Sequence, residues 1–223
     1  MGDEGPASEQ PTDARPGELV TPEACIRVLA VKGLAPLESL AAVWSSAVED
    51  LQPILDGLAQ EGLLAAAGGA YKLTPSGTAR ANELLEAERR AWGEEAASAA
   101  LDTFIDLDGR MKATVTAWQL RDPNTQVVND HSDDEYDRAV LERLAALHDD
   151  AAAWLTSAES GLPRLADYRV RLGRAIDRVH AGDHRYVASP RVDSYHSVWF
   201  ELHEDLIQLA GRSRAEEVAA GRA

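Results

Sequence analysis

The chain has 223 residues, which fits one large domain or two small ones, and 45% of them are hydrophobic, so it can bury a core. Its 38 acidic and 22 basic residues give a formal net charge of −16. That charge argues against an overall basic nucleic-acid binder and against adhesion to anionic lipid, but does not exclude a local basic patch. The single cysteine, Cys25, excludes an internal disulfide framework and a multi-thiolate metal site.

Residues 1–20 are rich in Gly, Pro and acidic side chains, and we predict a disordered acidic tail there. This start lacks the apolar stretch of a signal peptide. No apolar run anywhere reaches the roughly 18 residues that a membrane span needs. We therefore expect a cytoplasmic protein without a membrane partner.

Residues 21–92 predict three short helices, a hairpin and a fourth helix. Thr21 before Pro22 is typical of a helix start, and Gly33 is expected to end this first helix. A second helix is predicted over 37–43, and a third, capped by Ser45 and Ser46, runs to about residue 62. Short apolar runs flank a Gly-Gly pair and indicate a small hairpin. The fourth helix is predicted to begin at residues 74–75 and to run to about residue 92.

This order of elements is that of a winged helix-turn-helix, in which the hairpin is the wing. Three stretches of the sequence resemble the MarR and PadR regulators: residues 58–64 (LAQEGLL), Gly68-Gly69, and residues 71–77 (YKLTPSG). The resemblance implies a winged helix-turn-helix domain with a small β-wing over residues 21–92. It implies little about function, because the same fold also serves protein contacts.

Residues 93–223 read as a helical bundle that binds a ligand or forms a homodimer. Helical stripes of apolar residues reach residue 120 and continue over 134–158, 162–182 and 193–210. A polar loop is predicted over 121–133, and the end from residue 211 is expected to fray. The fold class is therefore mainly α, a winged helix-turn-helix followed by a helical bundle.

Three strings in this half resemble an actinobacterial family with the same layout: MKATVTAWQLRD, NDHSDDEYDRAV and DSYHSVWFELHEDL. Members of that family are labelled MarR-like regulators, and related segments accompany pyruvate-phosphate-dikinase or phosphoenolpyruvate-utilising chains. The resemblance implies a layout and no catalytic residues.

The predicted third helix is poorly suited to DNA, although it is the one that would enter the major groove. It carries no Arg or Lys and four acids, namely Glu49, Asp50, Asp56 and Glu61. The wing tip is also without a basic residue, so the phosphate contacts that supply most non-specific affinity are nearly absent. The candidate DNA contacts are Arg27, Ser45, Ser46, Gln52, Lys72 and Arg80.

Candidate ligand-binding residues lie in the bundle half. Asp108 falls on an apolar stripe with Lys112 four residues on, which fits either a polar group inside a cavity or a local surface ion pair. The last helix groups hydrogen-bonding side chains beside aromatic ones, as an effector pocket would. The full candidate set is Asp108, Lys112, Trp118, Gln119, Arg121, His131, Tyr195, His196, Trp199, Glu201 and His203.

Three functions remain open at this point. The first is a MarR/PadR-like transcriptional regulator, a homodimer whose bundle senses a small-molecule effector. The second is an accessory protein that does not bind DNA and whose acidic winged helix docks a protein partner, such as a phosphoenolpyruvate-utilising enzyme. The third is a small-molecule enzyme or binder that uses the helix of Tyr195, His196 and His203. The GxSxG, P-loop, GxGxxG and HExxH motifs are absent, and we assign no catalytic residue, cofactor or metal.

Overall fold

The computed structural model describes residues 20–122 and 124–221. Over these residues the chain is mainly α-helical, with two small antiparallel sheets. Apart from Val20, the predicted acidic tail lies outside the described residues. Within the described ranges, no helix is long and apolar enough to cross a membrane.

The N-terminal segment, residues 21–92, alternates helices with short strands. Its elements are α1 Pro22–Lys32, β1 Leu34–Pro36, α2 Leu37–Trp44, α3 Val48–Gln60, β2 Leu64–Ala67, β3 Ala70–Leu73 and α4 Pro75–Trp92. The predicted hairpin is present, and its turn residues Gly68 and Gly69 both have positive φ, at 61° and 81°. A two-residue turn that matches the strand twist requires this conformation at both positions.

The sequence did not predict strand β1. It pairs antiparallel with β3, so the strand order is β1-β3-β2. Leu34 lies opposite Lys72, and Pro36 lies opposite Ala70. The hairpin is thereby joined to the connection between α1 and α2, which fixes its position against the helices.

Helix starts are confirmed where Thr precedes Pro, and the predicted Ser cap is wrong. The Thr21 hydroxyl accepts from the backbone N–H of Ala24 at 3.1 Å, and Thr74 accepts from Gly77 at 3.1 Å. Ser45 instead ends α2 in the left-handed conformation, with φ 54°. Helix α3 begins after Ala47, without a side-chain cap.

The C-terminal segment, residues 93–221, packs long helices around one core. Its elements are α5 Glu94–Gln119, β4 Leu120–Asp122, β5 Val127–Val128, α6 Asp134–Glu159, a 3₁₀ turn Pro163–Leu165, α7 Ala166–His180, α8 Arg185–Ala188, α9 Tyr195–Leu209 and α10 Arg214–Ala219. The four long helices agree with the predicted stripes.

Three details of this segment differ from the sequence prediction. The polar loop after α5 contains the small β4–β5 hairpin, and the connection before α9 contains the short helix α8. The end does not fray directly after residue 211, because Ser213 and Glu216 form a capping box that starts α10. Arg212 also ties this end to α5 by a 2.9 Å contact with Asp102.

Buried apolar residues form two clusters, one within residues 25–81 and one within 97–210. Helix α4 serves both clusters, since Leu84 packs on the first and Leu85 packs on the second. The two segments therefore share an apolar contact along α4, close to the predicted boundary at residue 92.

A buried ion network also joins the segments. Arg27 of α1 contacts Asp205 of α9 at 2.9 Å and Glu88 of α4 at 3.2 Å. Arg164 pairs with Glu88 at 2.6 Å and with Asp205, which also accepts from the Tyr168 hydroxyl at 3.0 Å. Asp205 is fully buried, which by itself would raise its pKa, but Arg164, Arg27 and the Tyr168 hydroxyl together prevail and lower it.

Candidate functional sites

The outer face of α3 is acidic in the folded protein. Leu51, Leu55 and Leu58 are buried, which turns Glu49, Asp50 and Asp56 to solvent. Within residues 20–122 and 124–221, none of these three carboxylates has a basic nitrogen within 4.0 Å. The surface that would face DNA therefore carries uncompensated negative charge.

Three of the candidate DNA contacts are turned inward or occupied. Arg27 is 5% exposed and held by Asp205 and Glu88, so it is not accessible to a phosphate. The Ser45 hydroxyl accepts a hydrogen bond from Arg174 of α7. The Ser46 hydroxyl is buried, without a hydrogen-bond partner in the described part of the chain.

The other three candidates lie on the outside. Gln52 donates to the Asp56 carboxylate and to the Tyr71 hydroxyl, both at 2.8 Å, and so connects α3 to β3. Lys72 is exposed on β3. Arg80 is half-buried and contacts Glu83 at 3.0 Å and Glu23 at 3.9 Å, so acids on its own segment neutralise it.

The candidate ligand residues do not form one pocket, and the first group gathers around Asp108. The Asp108 carboxylate accepts from the Trp199 indole at 3.0 Å, contacts Lys112 at 2.8 Å, and lies 3.3 Å from His203 Nδ1. Burial alone would raise its pKa, but hydrogen bonds from His203, Lys112 and Trp199 prevail and lower it to about 2. Asp108 thus joins α5 to α9 inside the core.

The remaining candidates on α9 point in different directions. Tyr195 is buried, and its hydroxyl lies 3.3 Å from His148 Nδ1. Glu201 contacts Lys32 at 2.5 Å and Arg171 at 2.8 Å, and belongs to the junction of the two segments. His196 is half-buried in a cleft at the same junction, where burial lowers its pKa.

A second group lines a surface groove where α5 ends. Trp118, Gln119 and His131 border a space of about 570 Å³ together with His184 and Ser189. This volume falls within the roughly 300–1,000 Å³ that small-molecule sites occupy. The Trp118 ring centroid lies 4.4 Å from that of His131 and 5.5 Å from that of His184.

A buried carboxylate orients the His131 ring. His131 Nδ1 lies 2.8 Å from Asp137 Oδ2, and the Asn129 amide donates to Asp137 Oδ1 at 2.8 Å. Asn129 and Asp137 are buried, whereas His131 is partly exposed. An Nδ1–H donated to the carboxylate leaves Nε2 as an acceptor or base for a ligand.

The backbone of His131 adds a second sign of constraint. Its φ is 59°, a left-handed conformation that non-glycine residues rarely adopt outside turns and functional sites. Asn129 holds this conformation, because its side-chain oxygen accepts from the His131 backbone N–H at 3.3 Å. The loop therefore presents the imidazole in one defined orientation.

Arg121 turns away from this groove. It contacts Asp133 at 2.9 Å, and its guanidinium lies 4.1 Å from the centre of the Tyr136 ring. The Tyr136 hydroxyl donates to the Ala117 carbonyl at 2.9 Å. Arg121 thus supports the start of α6.

The sequence did not identify His184 as a member of the groove or Asp137 as the carboxylate that orients His131. Asn129 and Asp137 lie within eight residues of His131, and the signal was the run of polar side chains around a histidine. His184 could not be assigned from the sequence, because it reaches Trp118 only through the packing of α8. Within the described residues, no group of three or more His, Cys, Asp or Glu is arranged to hold a metal ion.

Comparison with protein families, with curated proteins and with solved structures gives no match to this chain. Its function is therefore inferred from its own geometry.

Proposed function

We propose that residues 21–92 form a winged helix-turn-helix that docks a protein partner instead of reading DNA. The observation that carries this proposal is the exposed face of α3, where Glu49, Asp50 and Asp56 face solvent and, among the residues that the structure describes, have no basic nitrogen within 4.0 Å. The order of helices and strands, with β1 added to the hairpin, supports the winged-helix assignment.

Electrostatics favours docking over DNA binding. Affinity for duplex DNA rests largely on Lys and Arg that neutralise phosphates. An α3 in the major groove would bring three carboxylates near the phosphates, and Arg27 is unable to compensate because Asp205 holds it. The same acidic face complements a partner surface rich in Lys and Arg, which is the partner class that we propose.

The first test measures retention of genomic duplex fragments at about 50 and 200 mM salt. We expect no selective retention at either concentration. Selective retention that falls steeply with salt would mean several phosphate contacts. That result would overturn the docking proposal in favour of a DNA-binding regulator.

The second test compares two charge reversals by affinity capture with quantitative mass spectrometry. The test variant is Glu49→Lys/Asp50→Lys, in the first turn of α3. The matched control is Glu94→Lys/Glu95→Lys, because these exposed acids lie in the first turn of α5 and reversal costs the same helix-dipole energy. If the acidic face docks a partner, wild type and control should capture the same protein. The amount that the test variant captures should be at least tenfold lower. Equal loss in both variants would contradict it.

The groove of Trp118 and His131 supports a second role, the binding of a small effector by the C-terminal helices. Ligands from a small-molecule library are expected to raise the Tm of wild type and of His180→Gln, which changes an exposed histidine outside the groove. They should fail to stabilise His131→Gln, because a glutamine does not reproduce the oriented imidazole. A library ligand that stabilises His131→Gln equally would exclude this groove as its site.

A further inference from the structure

A cleft with three arginines lies where the end of α2 meets α7. Arg171, Arg174 and Arg178 are spaced by three and four residues, so they share one face of α7. Ser45, Tyr186 and Asp193, the carboxylate that pairs with Arg171, complete the polar lining of the cleft, which encloses about 220 Å³. This concentration of positive charge is notable because the whole chain carries a net charge of −16.

Only one of these three arginines is neutralised by direct carboxylate contacts. Arg171 contacts Asp193 at 2.6 Å and Glu201 at 2.8 Å. In the part of the chain that the structure describes, Arg174 and Arg178 have no carboxylate within 4.0 Å. Two guanidinium charges in the cleft are therefore without a direct counter-ion.

Arg174 is held in place by neutral acceptors. It donates to the Ser45 hydroxyl and to the Val43 carbonyl, the latter at 2.7 Å. Asp167 and Asp193 act on it only from beyond ion-pair distance, and burial lowers its pKa. A half-buried cation without a paired anion is costly, and an anionic ligand would remove that cost.

Arg178 is the exposed member of the pair. Its side chain is exposed, and its guanidinium lies 5.9 Å from the centre of the Tyr186 ring. It lines the same cleft as Arg174. Ser45, whose φ is 54°, presents its hydroxyl to the same space.

We infer that this cleft binds the phosphate group of a small phosphate monoester. Guanidinium groups match the oxygens of phosphate with paired, charge-assisted hydrogen bonds, and hydroxyl groups supply further donors. The volume is below the roughly 300 Å³ of common ligand sites, which favours a small molecule. Since Ser45 belongs to the N-terminal segment and the arginines to α7, the ligand would contact both segments. This inference is independent of the docking proposal.

The test is titration with inorganic phosphate and with methyl phosphate, at constant ionic strength in chloride buffer, followed by calorimetry and by backbone amide NMR. We expect saturable binding, with shifts at Ser45 and along α7. Arg178→Gln should weaken binding at least tenfold, and its exposed position means that the fold is retained. Arg174→Gln should weaken it by at least as much.

The matched control is Arg138→Gln, which removes an exposed arginine of α6 outside the cleft. It should bind as wild type does, and equal weakening would mean a general charge effect and overturn the site. The absence of saturable binding would also overturn it. A short duplex DNA is titrated in the same way. If it shifts the same amides and methyl phosphate does not, the small-ligand proposal is overturned and the cleft binds the phosphates of a nucleic-acid backbone.

Discussion

Asp108 shows how a single charged residue can belong to a core. It lies on the buried stripe of α5 and is 3% exposed, yet three donors surround its carboxylate. The spacing to Lys112 predicted one of these contacts, because residues four apart on a helix are neighbours. Trp199 and His203 could not be predicted as its partners, since they reach it only through the packing of α9 on α5.

The depressed pKa of Asp108 makes stability depend on pH in the acidic range. Its pKa falls from 3.8 to about 2 on folding, so the ionised form stabilises the native state above pH 4. That contribution, about 2 kcal/mol, should be lost as the pH falls from about 4 to about 2. We expect the free energy of unfolding of Asp108→Asn, measured in urea, to fall less than that of wild type between pH 4 and pH 2.

Asp150→Asn is the control for this experiment. Asp150 forms an exposed pair with Arg110, and such pairs contribute only about 0–1 kcal/mol. Its acid profile should therefore follow that of wild type. If the pH profile of Asp108→Asn coincides with that of wild type, the partners of Asp108 do not stabilise its ionised form, and the prediction is wrong.

At the scale of elements, local signals predicted helices well and short strands poorly. Thr21 and Thr74 begin helices because their hydroxyls satisfy free backbone N–H groups next in the chain. Strand β1 is three residues long and exists because it pairs with β3, more than thirty positions away. Serine is a residue type typical of a helix N-cap, but Ser45 lies at the C-terminal end of α2. There its hydroxyl accepts a hydrogen bond from Arg174 of α7.

The packing of α4 on the connection before β2 depends on one glycine. A Cβ added at Gly77 would lie 2.0 Å from the Leu63 carbonyl oxygen, a backbone atom that is unable to move aside cheaply. We expect Gly77→Ala to cost about 1–3 kcal/mol or more, as overpacking does. For a chain of this size each kcal/mol corresponds to about 2–4 °C in Tm.

Gly57→Ala, in the same segment, should stabilise the protein where Gly77→Ala destabilises it. Gly57 lies inside α3 with no atom within 4 Å of an added Cβ. Alanine there should stabilise the helix by about 0.5–1 kcal/mol and raise Tm by about 2 °C. Thermal unfolding of both variants checks the pair, and a Gly77→Ala protein as stable as wild type would contradict the close approach.

On the scale of the whole molecule, the sequence predicted two segments but not how they join. Helical periodicity identifies the faces that are buried, and it assigned most residues of both cores. The candidate ligand-binding residues lie in separate places, because those on α5, in the segment before α6 and on α9 pack against different neighbours. Arg27 was a candidate DNA contact because the sequence shows its positive charge. The sequence does not show its partner Asp205, which lies 178 positions away.

The ion network around Asp205 should make the two segments unfold together. Asp205→Asn keeps the shape of the side chain but leaves the buried Arg27 and the half-buried Arg164 with one carboxylate fewer, at a cost of about 3–5 kcal/mol. We expect amide hydrogen exchange to lose protection in α1 and in α9 alike, since the network contacts both helices. Asp102→Asn, which removes an exposed partner of Arg212, should change stability by less than about 1 kcal/mol. Protection lost in α9 alone would mean that Asp205 stabilises its own segment and that α1 is held by apolar packing along α4.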